Sequence, residues 1–259
     1  MRASAAPDSI YNDLLQELAS LYLGESSANE FTLRQLKVKA DQLAGVNAVW
    51  AMEIRGHLAL LSDKLEAGRE LLNRVLALSP NSPNVILRYM QGLQQRGLSA
   101  EVAEVFFEHR HAFAGNVTAT KEARQILASH GYLKAAGELR AELAKMNATV
   151  EEVSYAPGEH LLAQFDSDGV TDSDTAPVVA FVRRFLFEEG VNLQRVAITV
   201  VPAEDKMPSA VLYELEVSAA PDRASELEWD LYGRLDAEGF PLELDRRIVF
   251  SVTTDSKGA

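Results

Sequence analysis

The stretch Val49–Ala114, VWAMEIRGHLALLSDKLEAGRELLNRVLALSPNSPNVILRYMQGLQQRGLSAEVAEVFFEHRHAFA, decides how the chain is read. Its apolar residues recur at helical spacing in two helix–turn–helix units, offset by roughly 34 residues. The first unit closes on Leu78 and Pro80, and LSPNSPN makes the break that a proline demands. The second runs through Ile86, Tyr89 and Leu93 to a turn at Arg96-Gly97, then Val102 and Phe106. A third, Thr120–Met146, repeats helix, Gly131 turn and helix with Ile126, Leu127, Tyr132, Leu133, Ala136, Leu139 and Leu143. Units of this kind stack side by side into a surface that binds rather than reacts.

With Pro80 as the closing proline, the first unit resembles a tetratricopeptide repeat. Small Gly56 and Gly68 stand at positions 8 and 20, with Leu72 and Val75 at 24 and 27. The pattern is degenerate: Met52 and Arg55 replace the usual tryptophan and leucine, Trp50 comes two places early, and Met90 replaces the small residue of the second unit. A generic helical bundle competes with this reading. The resemblance implies a groove lined by positions 2, 5, 9 and 12 of each first helix. Those are Trp50, Glu53, His57 and Leu60 in the first unit, then Asn84, Leu87 and Gln91 with Arg88 at position 6 in the second. Lys121 and Gln125 belong to the third. Trp50, His57, Asn84, Arg88, Gln91, Lys121 and Gln125 are therefore the candidate partner-binding residues, suited to an extended peptide with an acidic group near Arg88 and Lys121. The family's carboxylate clamp is not reproduced, because Glu53 stands where a lysine is expected. Against this stands the plainer reading of ordinary exposed side chains.

Two helices precede the repeats. Asp8 caps a helix whose Ile10, Leu14, Leu15, Leu18, Leu21 and Tyr22 share a side. Asn29 caps a second, with Phe31, Leu33, Leu36, Val38, Ala40 and Leu43 expected to be buried. This pair is read as a cap on the stack in preference to a degenerate first repeat.

Beyond Met146 the texture changes. Asp166, Asp168, Asp172 and Asp174 read as a polar acidic loop, and Pro177 as the first turn of a helix ending at Gly190. Gln194–Val201 and Ala210–Ser218 alternate as strands around a two-proline turn, PAEDKMPS. A helix from Pro221 to Gly239 leads to a last strand, Arg247–Thr253. If His160–Phe165, HLLAQF, is also a strand, the order is βαββαβ, which resembles the ferredoxin-like fold and, within it, the amino-acid-binding ACT domains. The competing order, αββαβ, lacks that first strand. The expectation is an α+β chain with a helical-repeat domain at 1–147, a linker at 148–176 and a ferredoxin-like domain at 177–259.

The residues offer little chemistry. With no cysteine there is no disulfide, thiolate zinc site or cysteine nucleophile. The aspartate run fails as an EF-hand loop, since its twelfth position is Pro177 where a bidentate glutamate is needed. His109 and His111, two residues apart, point to different sides of a helix and cannot share a metal. No Walker loop, nucleophile elbow or dinucleotide glycine pattern occurs. Glu214 and Glu216 share the outer face of a strand, which alternation alone explains. A non-enzymatic chain with no cofactor and no metal is expected.

The formal charge of −13 is uneven: 4 basic and 6 acidic side chains fall in 1–46, 12 and 10 in 47–146, and 9 and 22 in 147–259. The acidic last part repels a phosphate backbone, and its open sheet face (Arg195, Thr199, Glu214, Glu216, Ser251, Thr253) lacks the aromatics that stack RNA bases. No apolar run is long enough to span a membrane, and the opening residues lack an apolar signal-peptide core. The sequence thus leads us to expect a cytoplasmic adaptor with a protein or peptide partner, no nucleic acid, no membrane, and a possible homodimer through 193–218. The alternative function is a regulator that senses a small metabolite through the ACT-like part.

Overall fold

A computed structural model describes residues 7–23, 28–148, 159–167, 169–201, 209–240 and 247–254. The chain is α+β: a helical region of eight helices comes first, and a three-stranded sheet lies towards the C-terminus. It divides into two compact units, Met1–Arg96 and Gly97–Ala259, at the turn where the sequence places the middle of its second hairpin.

The first unit holds α1 (Pro7–Tyr22), α2 (Glu30–Ala44), α3 (Ala48–Leu61), α4 (Leu65–Leu78) and α5 (Pro83–Gln94). Asparagines start two of them. Asn29 accepts from Thr32 N, and Asn47 accepts from Val49 N and Trp50 N at 3.1 Å each, which supplies the acceptor that first-turn amides lack. Helices α3 and α4 form an antiparallel hairpin whose closeness depends on two glycines. A methyl on Gly56 would stand 2.7 Å from Leu72 Cγ, and one on Gly68 would stand 2.7 Å from Leu60 Cδ2. These are the two small positions on which the repeat resemblance rests.

The same register recurs between hairpins. Glu53 meets Arg88, 35 positions on, and a methyl at Gly92 would lie 3.1 Å from His57 Nδ1, so α3 and α5 run parallel. Tyr22 of α1 likewise meets His57 across 35 positions. Helix α1 thus meets α3 at the same 35-residue step at which α3 meets α5. One core binds α1, α2 and α3, through Leu14, Leu18, Leu36, Ala40, Leu43, Ala51 and Ile54.

Helix α2 differs from expectation on one side. Its inner stripe is Leu36, Ala40 and Leu43, while Phe31 and Val38 are 70% and 53% exposed. At 100° per residue they lie about 140° and 200° round the helix from Leu36, so one neighbouring layer cannot cover both sides.

The second unit holds α6 (Ser99–His109), α7 (Val117–Ser129), α8 (Leu133–Lys145), α9 (Glu159–Ser167), α10 (Asp172–Glu188), β1 (Leu193–Val201), β2 (Ala210–Val217), α11 (Pro221–Glu238) and β3 (Ile248–Thr254). The sheet order is β1-β2-β3, with β1 antiparallel to β2, and β2 parallel to β3 through the α11 crossover. Alternation sorts the faces as the sequence implies. Val211, Tyr213, Leu215, Val217, Phe250 and Val252 are buried, whereas Glu214, Glu216 and Ser251 are only partly covered.

Two expectations are corrected here. The segment expected as a first strand, His160–Phe165, lies within helix α9. Its Leu162 and Phe165, three apart, suit a helix face: Phe165 is buried and Leu162 packs against Gly137 of α8. The ferredoxin-like and ACT-like orders go with it, because among the described residues β2 pairs directly with β3, where such a fold inserts its first strand. The two-proline turn lies, except for Ser209, outside the described residues, as do residues 149–158 of the linker.

Helix α10 also begins five residues before Pro177. Thr171 and Asp174 form a reciprocal capping box at its start, and Pro177 lies inside the helix.

Candidate functional site

The first unit carries a polar seam where α1, α3 and α5 meet. Glu53 and His57 share one face of α3, four residues apart, and each is 1% exposed. Arg88 Nε of α5 donates to Glu53 Oε1 at 2.7 Å, and Tyr11 Oη of α1 donates to Glu53 Oε2 at 2.5 Å. Arg88 Nη2 also reaches Tyr11 Oη at 3.0 Å. The Tyr11 ring stacks on Trp50, with centroids 4.6 Å apart and planes 10° apart. Further along, Tyr22 Oη lies 2.9 Å from His57 Nδ1, while His57 Nε2 has no hydrogen-bond partner.

Burial sets the electrostatics of this seam. Desolvation lowers His57 to a pKa of about 4, against a smaller upward pull from Glu53, so the ring is neutral at neutral pH. Burial and then the Glu53 carboxylate raise Tyr11 well above the ordinary phenol value, and burial raises Tyr22 likewise. The two phenols are protonated, the neutral imidazole is buried away from solvent, and the only carboxylate among them is held by two donors.

The seven candidate residues separate into two groups. Trp50, His57 and Arg88 are engaged by side chains of α1 and α3, whereas Asn84 and Gln91 lie exposed on α5, and Lys121 and Gln125 lie exposed on α7. The sequence reading missed Tyr11 and Tyr22. Its available signal was the 35-residue step, on which Tyr22, His57 and Gly92 fall in one line.

On the outside of the same unit, Phe31, Arg34, Gln35, Val38 and Lys39 line an open groove of about 440 Å³. Lys39 pairs with Glu17, whereas Arg34 and Lys37 are exposed and have no carboxylate partner among the described residues.

The second unit has its own polar cluster, gathered on the turn between α7 and α8. Tyr213 Oη donates to Ala128 O, Arg183 Nε to Ser129 O and Thr175 Oγ1 to Gly131 O, at 3.1, 2.9 and 2.5 Å. Asp172 accepts from Lys134 N and Ala135 N at 2.8 and 3.0 Å and so caps α8. Gly131 is needed here twice over: its φ is +84°, and an added methyl would meet Ala176 Cα at 2.8 Å. Arg183 is buried with no carboxylate partner among the described residues, and desolvation lowers its pKa to about 10. Its compensation is the carbonyl end of α7, where a cation is favoured. Ser99 Oγ lies 2.8 Å from His130 Nδ1, with both side chains buried.

No family model, curated protein or solved structure matches this chain. Among the described residues no cluster of His, Cys, Asp or Glu could hold a metal ion, and no helix is long and apolar enough to cross a membrane.

Proposed function

We propose that the chain is a non-enzymatic binding scaffold whose stacked, tetratricopeptide-like hairpins present a fixed helical surface to a protein partner. The observation that carries this reading is the repeated 35-residue register, Tyr22 to His57 and Glu53 to Arg88, anchored at each step on a buried side chain of α3. Such a seam fixes the spacing of neighbouring hairpins, as a recognition surface requires. The titratable groups also favour binding over catalysis. His57 and the Ser99–His130 pair are buried, and a nucleophile and its base must reach a substrate to act.

The second unit gives a reason for self-association. The outer edge of β3 is closed by α11: Tyr232 Oη donates to Phe250 O and accepts from Phe250 N, and Glu228 accepts from Val252 N. Among the described residues β1 has β2 as its one strand neighbour, and an unpaired edge invites a second strand. The dimer reading over 193–218 therefore centres on β1.

The test is proximity crosslinking of the full-length protein in its native cells, followed by mass spectrometry. Reproducible capture of the same protein, lost when Glu53 and Arg88 are both replaced, is the expected result. Turnover of a small molecule with no captured partner would overturn the scaffold reading. Sedimentation of the purified chain tests the dimer, which Ile198→Pro should dissociate.

A further inference from the structure

We infer that the outer face of α2 is a docking site for an acidic amphipathic helix of another protein. This inference rests on the scaffold reading and names its partner class. A soluble helix ordinarily turns its large apolar residues inward, yet Phe31 and Val38 face solvent at 70% and 53% exposure. They are not scattered: with Arg34 and Gln35 between them they follow the i, i+3, i+4, i+7 spacing of one helical stripe and frame the groove of about 440 Å³. Phe31 and Val38 are separated along the axis by about 10 Å, two helical turns, which is the span over which a second helix packs.

Charge selects the occupant. No acid falls between Phe31 and Lys39; Arg34 and Lys39 line the groove, Lys39 paired with Glu17, and among the described residues neither Arg34 nor Lys37 has a carboxylate partner. Aromatic and apolar anchors flanked by unpaired cations complement a helix that carries apolar residues flanked by carboxylates. A second copy is disfavoured, because two-fold α2–α2 packing brings two copies of the same basic face together and supplies no carboxylate to either. The hairpin stack supplies the geometry, since α2 already packs its other face, Leu36, Ala40 and Leu43, in the core shared with α1 and α3. One more helix on the outer face continues an arrangement that the fold already uses.

The experiment is fluorescence anisotropy of the full-length protein with two labelled amphipathic peptides. One carries leucines at i, i+3, i+4 and i+7 flanked by glutamates, and the other has every glutamate replaced by lysine. The expected result is binding of the acidic peptide, about tenfold or more tighter than the lysine peptide, weakening with salt. Phe31→Ser/Val38→Ser and, separately, Arg34→Glu/Lys37→Glu should each reduce that affinity about tenfold with the melting temperature unchanged, since all four side chains are exposed. No binding of the acidic peptide, equal binding of both, or binding indifferent to these variants would overturn the inference. So would a concentration-dependent dimer that Phe31→Ser dissolves, which would assign the face to a second copy. If the Phe31→Ser/Val38→Ser protein still captures the wild-type partner in cells, the docking site falls and the scaffold reading stands.

Discussion

Arg88 Nε donates to Glu53 at 2.7 Å, and the two residues stand 35 positions apart on successive parallel helices. The bond is the register mark of the first unit, because a slip of α5 by one helical turn would leave the buried Glu53 carboxylate without its cation. Tyr11 closes the other oxygen of the same carboxylate, so one acidic side chain ties three helices together. Burying such a group adds little net stability, but mispairing it is costly, and this asymmetry specifies a single stacking.

Removing one partner should therefore cost more than removing both. Arg88→Met leaves Glu53 buried and should destabilise the fold by about 3 kcal/mol. Glu53→Gln keeps the shape and should cost about 1–2 kcal/mol by weakening two hydrogen bonds. The double variant should cost less than Arg88→Met alone, which makes it more stable than the sum of the two losses implies by about 2 kcal/mol or more. Urea unfolding of the four proteins measures this cycle, and simple additivity would show that the pair sets no register.

Acid should loosen the first unit through His57. Burial lowers folded His57 to about 4, while the unfolded ring keeps its ordinary value near 6.5. Between those values the unfolded chain binds more protons, so stability is fully present above pH 6.5 and falls as pH drops towards 4. The full loss is about 3 kcal/mol. His130, lowered by burial and by nearby Arg183, acts with the same sign in the second unit. Melting temperature followed from pH 7 to pH 4 should fall less steeply for His57→Gln than for the wild type.

Local signals in the sequence carried much of the fold. Alternation in Val211, Tyr213, Leu215 and Val217 placed the central strand and its buried face, and small Gly56 and Gly68 marked the tight hairpin. What local signals could not carry was partner choice at long range. HLLAQF has no strict alternation, and its helical state depends on Leu162 finding Gly137 on α8. Phe31 and Val38 look like core residues until the one neighbouring layer of α2 is known. The candidate groove residues were named by position in a repeat, and the structure then turned Trp50, His57 and Arg88 onto tyrosines of α1, which the repeat pattern does not contain.

Glycine substitutions separate packing from propensity. Gly56→Ala and Gly68→Ala gain about 1 kcal/mol of helix propensity but force a methyl to within 3 Å of Leu72 or Leu60. Overpacking should win, with a net loss of about 1–2 kcal/mol at each site. Gly233→Ala in α11 meets nothing within 4 Å and should stabilise by up to about 1 kcal/mol. Opposite shifts in melting temperature would support the hairpin geometry, and a gain at Gly56 would count against it.

The acidic run from Asp166 to Asp174, which spans the end of α9 and the start of α10, should prove unequal, residue by residue. A loop of solvated aspartates would tolerate alanine anywhere. In the structure Asp172 accepts two backbone amides at the start of α8, groups that no other side chain satisfies once it is removed. Asp172→Ala should therefore cost about 1–2 kcal/mol, the usual loss for a helix cap, even though Asp172 belongs to a different helix from the one it caps. Asp166 pairs with Lys134 from an exposed position, and Asp166→Ala should cost less than about 0.5 kcal/mol. Asp172→Asn should recover part of the loss, because its amide oxygen still accepts one of the two bonds. Equal tolerance of alanine at both aspartates, measured by urea unfolding, would detach α10 from the α7–α8 turn and return the run to a loop.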